Sequence, residues 1–173
     1  MKHTLKTITC TGALLAGSLL TQASAFAQEG AENARRIVGL WDVTISITNC
    51  TTGLPFPVPP FPGEHKFEAG GTGQIVPGTN PAATSAHMMV WKYLGGGDYQ
   101  WTAKYFRFDT DPTNSTPDGS RIGHTIIRSV VNISADGTTY LGLGEVTNYD
   151  LSGDEVGIKV CPKFEGSRFS VND

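Results

Sequence analysis

Two aromatic-rich segments carry most of the side chains that are able to do chemistry in this chain. Alternate residues of an extended strand share one face, so alternate positions of "HMMVWKYL" and of "YQWTAKYFRF" are expected to point the same way. Those two sets are His87, Met89, Trp91 and Tyr93, and Tyr99, Trp101, Ala103 and Tyr105. Aromatic rings and a flexible methionine suit a flat or apolar ligand. The same residues would equally well fill a protein interior.

His87 and Tyr105 are the candidate polar groups among these residues. A buried histidine near a carboxylate is able to act as a general acid or base. His87 or Tyr105 is therefore the candidate catalytic residue if the protein is an enzyme. A hydrogen-bonded structural histidine is the alternative. The direction of His124 stays open, because both alternating sets of its strand are mixed.

Metal and cofactor motifs are missing from the sequence. The histidines do not form HxH or HxxxH pairs. The loop with Asp109, Asp111 and Asn114 lacks the glycine and glutamate that an EF-hand requires, so it reads as a turn-rich connection. Nucleophile elbows and glycine-rich phosphate loops do not occur. We expect neither a metal ion nor a cofactor.

The first 27 residues have the pattern of a cleaved secretory signal peptide. Lys2 and Lys6 precede an apolar run from Ile8 to Leu20 that is short for a membrane span, and small residues follow up to Ala27. We predict a signal peptide over 1–27, a single domain over 28–173 and a periplasmic or secreted location. An uncleaved anchor is the alternative.

Charge and hydropathy exclude several partners. The formal net charge is −3, and loss of Lys2 and Lys6 with the leader makes it more negative. Basic residues do not cluster beyond Arg35 and Arg36. Nucleic acid is therefore a poor partner, and no membrane span is expected after the leader.

Two cysteines, Cys50 and Cys161, remain after removal of the leader. An exported chain meets an oxidising compartment, so a disulfide between them is expected. A metal pair or a reactive thiol is the alternative. Their spacing is unlike the CxxC pattern of many such sites.

The segments between glycines and prolines alternate with period two and predict eight strands without helices. Most connections are short enough for hairpins, as at Asp136-Gly137. An all-β, eight-stranded, antiparallel up-and-down barrel follows, with a two-sheet sandwich as the alternative. Closure places the first strand beside the eighth, and a Cys50–Cys161 bond would join them. In the seventh strand, Gly142 and Gly144 indicate either space for a cavity or a bend in the wall.

The segment 51–63 is rich in proline, which prevents it from forming an interior strand. It carries Phe56 and Phe61 among other apolar residues. We expect this loop to cover the mouth of the barrel as a lid or to plug it. A docking strip for another chain is the alternative.

Gly39-Leu40-Trp41, at the start of the first strand, resembles the glycine-x-tryptophan signature of lipocalins and the wider calycin group. That resemblance implies a ligand-binding barrel whose floor is closed by Trp41 packed on a basic residue from the end of the last strand. Arg168 matches this position, with Arg35 or Arg36 as alternatives. The chain also looks similar to small exported bacterial proteins with a GLWDV start, and to allene oxide cyclase-like barrels.

These features predict an exported lipocalin-like barrel that binds a small hydrophobic molecule inside. The residues expected to contact that molecule are His87, Met89, Trp91, Tyr93, Trp101, Tyr105, Phe56 and Phe61. One alternative is an isomerase or cyclase that uses the same cavity. Another is a structural or interaction protein with a filled core.

Overall fold

The chain folds into a closed antiparallel barrel of eight strands. A computed structural model describes residues 35–110 and 119–170. The strands lie in chain order: β1 (Gly39–Asn49), β2 (Phe61–Glu68), β3 (Thr72–Pro77), β4 (His87–Gly95), β5 (Asp98–Phe108), β6 (Arg121–Ile133), β7 (Thr139–Tyr149) and β8 (Glu155–Arg168). β8 pairs with β1 and closes the sheet. The predicted up-and-down barrel is confirmed, and the sandwich alternative is set aside.

Several predictions lie outside the described residues. The leader 1–27 and its cleavage site are among them, as are Asp111 and Asn114 of the loop between β5 and β6. The helical structure that is described includes a 3-10 turn at Pro81–Ala83. Within the described ranges, helices long and apolar enough to cross a bilayer do not occur.

Alternating side chains give the wall one dry and one wet face. In β1, Trp41, Val43 and Ile45 are buried, whereas Asp42 and Thr44 between them are exposed. The other strands repeat this pattern over much of their length, although residues 155–159 of β8 are all exposed, and the buried faces meet inside the barrel. Burial of apolar area stabilises the fold by about 25 cal/mol per Å², and closure pairs the strand edges of the sheet.

The seam between β1 and β8 carries the disulfide. Thr48 lies opposite Cys161 in the register of the two strands. Cys50 follows β1 directly, and its Cα lies 5.0 Å from that of Cys161, to which it is bonded. The predicted Cys50–Cys161 bond is confirmed, and it joins the first and last strands at the end of the barrel opposite Trp41.

Trp41 closes one end of the barrel, here called the floor. Its side chain is fully buried, and its indole Nε1 donates a hydrogen bond to the Ile37 carbonyl at 2.8 Å. The Arg168 guanidinium stacks over the indole ring, 4.3 Å from its centroid. That guanidinium also donates to the carbonyls of Val38 and Gly137, each at 2.9 Å. The structure thus places Arg168 over the tryptophan, rather than Arg35 or Arg36.

The stacking of Arg168 on Trp41 also explains why residue 39 is a glycine. Its φ of +139° is a conformation that side-chain-bearing residues rarely adopt. A Cβ at this position would lie 2.6 Å from Nη1 of Arg168. The glycine two residues before Trp41 therefore leaves room for the arginine that covers the ring.

Candidate functional site

A small cavity lies inside the barrel at the end away from the floor. Its volume is about 200 Å³. Residues near the end of β1 and the start of β4 contribute to its wall, which places it opposite Trp41 at the start of β1. The lining consists of Ile45, Ile47, Phe61, Ile75, Pro77, Thr79, Thr84, His87, Tyr105, Ile127, Val146, Val160, Pro162 and Phe164. The wall is mostly apolar and its polar side chains are uncharged types.

Three of the residues expected to contact a ligand line this cavity, namely His87, Tyr105 and Phe61. His87 is 4% exposed and Tyr105 is half-buried. His87 is the first residue of β4, Tyr105 lies in β5, and Phe61 is the first residue of β2. The sequence pattern therefore identified part of the wall.

Other expected contact residues lie in the packed half of the barrel. Met89 and Trp101 are 3% and 1% exposed and belong to the core cluster. Trp91 and Tyr93 are half-buried nearer the floor, where both rings contact Tyr99. These side chains fill the interior beneath the cavity instead of lining it.

The glycines of β7 make room for packed side chains. A Cβ at Gly142 would lie 2.5 Å from Cγ1 of Val131. A Cβ at Gly144 would lie 3.1 Å from the Phe164 ring and 3.2 Å from Cβ of Ser129. The volume that these positions leave free is occupied by neighbouring residues, so the cavity does not originate there.

The proline-rich loop lies beside the mouth. Its first half returns along β1, where the Phe56 amide donates to the Ile47 carbonyl at 3.0 Å and Pro55 forms a bridge with Thr48. Phe56 is half-buried and does not belong to the cavity lining, while Leu54 is 66% exposed. The expectation that 51–63 lies outside the strands is wrong for its last three residues, because Phe61, Pro62 and Gly63 begin β2 and pair with β1. Pro62 is tolerated there because it lies at the start of the strand, where pairing with β3 begins only at Gly63. The cavity lining includes Phe61 from this segment, together with Thr79 and Thr84.

His87 and Tyr105 form a stacked pair on the cavity wall. Their ring centroids lie 3.7 Å apart and their planes differ by 5°. Nε2 of His87 lies 3.4 Å from Oγ1 of Thr84. Nδ1 is buried and has no hydrogen-bond partner among the described residues. Burial lowers the pKa of His87 to about 4, so the ring is neutral at pH 7.

Tyr105 lies opposite Thr125 in the register of β5 and β6. Oγ1 of Thr125 donates to Oδ1 of Asn148 at 2.6 Å. Burial raises the pKa of Tyr105, while a hydrogen bond with Thr125 and the charge of Arg107 oppose that rise. The phenol therefore stays protonated at neutral pH.

A second buried polar pair, His65 and Tyr140, was not predicted from the sequence. The Tyr140 hydroxyl lies 2.6 Å from Nδ1 of His65, and the two residues are 75 positions apart. Both side chains are almost fully buried, and Trp101 packs edge-on against the imidazole. Alternation with the apolar Phe67 is a signal that could have indicated an inward His65, whereas its contact with Tyr140 depends on barrel closure.

Burial holds His65 in its neutral form. Desolvation, with a smaller contribution from the nearby His87, lowers the pKa of His65 to about 3. Burial also raises the pKa of Tyr140 well above its usual value. Nε2 of His65 has no hydrogen-bond partner within the described ranges. The pair lies below the cavity and is part of the packed core.

Acidification is expected to destabilise the protein as pH falls from about 6.5 towards 4. The folded pKa values of His65 and His87 lie below the usual value of 6.5, so the unfolded chain binds protons first. Stability contributed by the neutral rings is present above pH 6.5 and is lost as pH falls towards the folded values. Urea unfolding at pH 4, 5, 6 and 7 measures this loss.

The variant His65→Gln isolates the histidine contribution. It should reduce the slope of unfolding free energy against pH by about 1.4 kcal/mol per pH unit in this window. His124→Gln is the matched control, because that ring stacks on Tyr149 and is not a core residue. An unchanged slope in His65→Gln would contradict the assignment of a neutral buried ring.

One further feature of the surface is separate from this cavity. An open depression of about 740 Å³ lies on the outer wall, with outward-facing residues such as Asp42, Glu64 and Glu165 in its lining. Its lining includes neither His87 nor Tyr105. Among the residues that the structure describes, histidine, cysteine and acidic side chains do not gather into a group of three able to hold a metal ion.

Comparison of the whole chain with models of known protein families gives no match, and no curated protein matches its sequence. The barrel is compatible with binding of a ligand inside it. A more specific function has to be argued from the cavity.

Proposed function

We propose that this protein binds one small, largely apolar molecule in the cavity at the mouth of the barrel. The observation that carries this proposal is the cavity wall, in which ten of the fourteen residues are apolar. Dry apolar cavities of about 150 Å³ bind benzene-sized molecules in other proteins. A volume of about 200 Å³ therefore fits a molecule of about one ring, which is smaller than most drug-sized ligands.

The floor contact supports a place among lipocalin-like barrels. Gly39, Trp41 and Arg168 have the arrangement that the glycine-x-tryptophan resemblance implies. A disulfide at the seam is compatible with an oxidising compartment. We include in the proposal a cleaved leader over 1–27, a domain over 28–173 and a periplasmic or secreted location.

The isomerase or cyclase alternative receives less support from the geometry. Its candidate base, His87, stacks on the Tyr105 ring and faces Thr84 through Nε2. An acid–base mechanism would be favoured by a carboxylate beside the histidine. The pair as built is better suited to holding a ligand by shape and one hydrogen bond.

Filling the cavity tests the proposal. Wild-type protein is expected to bind toluene, and Ile127→Phe should weaken that binding about tenfold or more, because the added ring occupies the cavity and overpacks its wall. Isothermal titration calorimetry measures both affinities. Native mass spectrometry of protein from its own host then identifies the natural ligand.

Ile126→Phe is the matched control. Ile126 precedes Ile127 in β6, and its side chain points to the outer face. Toluene affinity in this variant should remain within about twofold of wild type. Failure of toluene and related one-ring compounds to bind wild-type protein would support the filled-core alternative instead.

A further inference from the structure

The ladder between β3 and β4 ends before β3 does. The two strands pair from Thr72–Val90 to Ile75–His87, whereas β3 continues to Pro77 and still pairs there with β2. Proline has no backbone N–H, so Pro77 does not offer the donor that an extension of the ladder towards β4 would need. In the described part of the chain, the last two residues of β3 are therefore not paired with β4.

The segment that precedes β4 pairs with β5 instead. The Ser85 amide donates to the Phe106 carbonyl at 2.9 Å, and the Phe106 amide donates to the Ser85 hydroxyl at 2.9 Å. Thr84 forms a bridge with Arg107. Between this segment and the end of β3, the barrel is therefore closed by side chains rather than by a ladder of backbone hydrogen bonds.

A groove of about 300 Å³, here called the side groove, lies on the outside of this part of the wall. It is lined by residues 74–77 of β3 and by residues of the segment 79–86. Ile75, Pro77, Thr79 and Thr84 line both the side groove and the cavity. Thr79 is exposed to solvent although it also lines the interior space. The partition between the two spaces is therefore about one residue thick.

The two spaces suit different parts of one molecule. The cavity, of about 200 Å³, fits a single ring, and its lining is mostly apolar. The side groove combines apolar side chains such as Val76 and Ala86 with uncharged polar ones such as Gln74 and Ser85. Such a lining suits an alkyl chain that ends in a hydroxyl group. Exposed side chains such as Thr79 change rotamer within picoseconds to nanoseconds, so the partition is able to open for a chain.

We infer that the bound molecule is elongated and uncharged, with a ring-sized apolar end in the cavity and a chain that passes between β3 and the segment 84–86 into the side groove. This inference rests on the proposed function, because it assigns the shape and chemical class of the ligand of the same cavity. A phenylalkanol has this chemistry. The combined space falls within the range of about 300–1,000 Å³ that is usual for small-molecule sites.

The experiment compares toluene with phenylhexanol, in which a linear chain ending in a hydroxyl is attached to the ring. Ala86→Trp and Val76→Trp each place an indole in the side groove, from its two opposite sides, and neither residue lines the cavity. Val90→Trp is the matched control, because Val90 is also exposed on the outer face but lies outside the lining of the side groove. Calorimetry at pH 7 gives the affinities, and circular dichroism with thermal melting verifies that the variants are folded.

Phenylhexanol should bind wild type about tenfold more tightly than toluene or better, because burial of each methylene group favours binding. Ala86→Trp and Val76→Trp should each lower the ratio of phenylhexanol to toluene affinity by about fivefold or more, since the indole takes the place of the chain. Toluene affinity in both variants, and the ratio in Val90→Trp, should stay within about twofold of wild type. The ratio separates the groove contact from general effects on packing.

The position of the chain is measured directly by intermolecular nuclear Overhauser effects in wild type. Protons of the phenyl ring should contact the methyl groups of Ile127, whereas chain protons should contact those of Val76 and Ala86. Contacts of the chain with Ile47 or Val160, at the ends of the paired β1 and β8, would show that it leaves through the mouth.

Two results would overturn the inference while leaving the proposed function intact. One is binding of toluene with an affinity ratio that is the same in wild type, Ala86→Trp and Val76→Trp. The other is contact of the chain with Ile47 or Val160 instead of the side groove. Failure of both probes to bind wild type would overturn the inference and the proposed function together.

Discussion

Replacement of Trp41 by alanine is expected to lower the free energy of unfolding by about 3–5 kcal/mol. The side chain is fully buried at the floor, and the Tyr140 ring contacts it edge-on at 5.2 Å. Its removal would leave a cavity. The Ile37 carbonyl would lose the hydrogen bond from the indole, and the Arg168 guanidinium would lose the ring on which it stacks. Urea denaturation with linear extrapolation measures the loss.

Trp91→Ala provides the comparison within the same barrel. Trp91 is half-buried, and its Nε1 donates to the carbonyls of Thr72 and Glu68 at 2.9 and 3.2 Å. It should cost less than Trp41→Ala because less of its surface is buried. A loss below about 1 kcal/mol for Trp41→Ala would show that the indole does not close the floor.

Reduction of the Cys50–Cys161 bond is the second change with a large expected effect. The cysteines are 111 residues apart, so the bond restricts most of the unfolded domain. The chain-entropy model assigns such a loop about 4–5 kcal/mol as an upper value. For a domain of this size, that corresponds to a fall in Tm on the order of 10 °C. Calorimetric melts with and without reductant measure it.

The double variant Cys50→Ser and Cys161→Ser controls for other effects of the reductant. Its melt should resemble that of reduced wild type and should not respond to reductant. The barrel is expected to remain closed in this variant, because β1 and β8 stay paired from Trp41–Arg168 to Asn49–Val160. If the Tm of wild type is the same with and without reductant, the disulfide does not contribute to stability.

The architecture was predictable because its determinants are local. Period-two alternation places side chains on two faces of each strand. Short turns make strands that are consecutive in the chain neighbours in the sheet. The two cysteines added one long-range constraint, which agreed with barrel closure. Gly39 and Trp41 indicated the floor through the resemblance to the glycine-x-tryptophan signature, and in the structure Arg168 lies against both residues.

The division of the interior into a packed half and a hollow half was not predictable in the same way. Gly142 and Gly144 left two interpretations open, and the Val131 and Phe164 side chains decided between them by occupying the space. His65 and Tyr140 meet only because strands distant in sequence face each other across the barrel. Met89 and Trp101 point inward, as the alternation implies. Their positions along the barrel axis place them below the cavity, so they do not line it.

The sequence by itself determined the strands, their order, the disulfide and the identity of the inward faces. The tertiary structure alone decided which inward side chains touch one another, where about 200 Å³ remains unfilled, and that His87 and Tyr105 border that space. The physical reason is that alternation is a property of each strand, whereas the shape of a cavity depends on the packing of side chains from all eight strands at once.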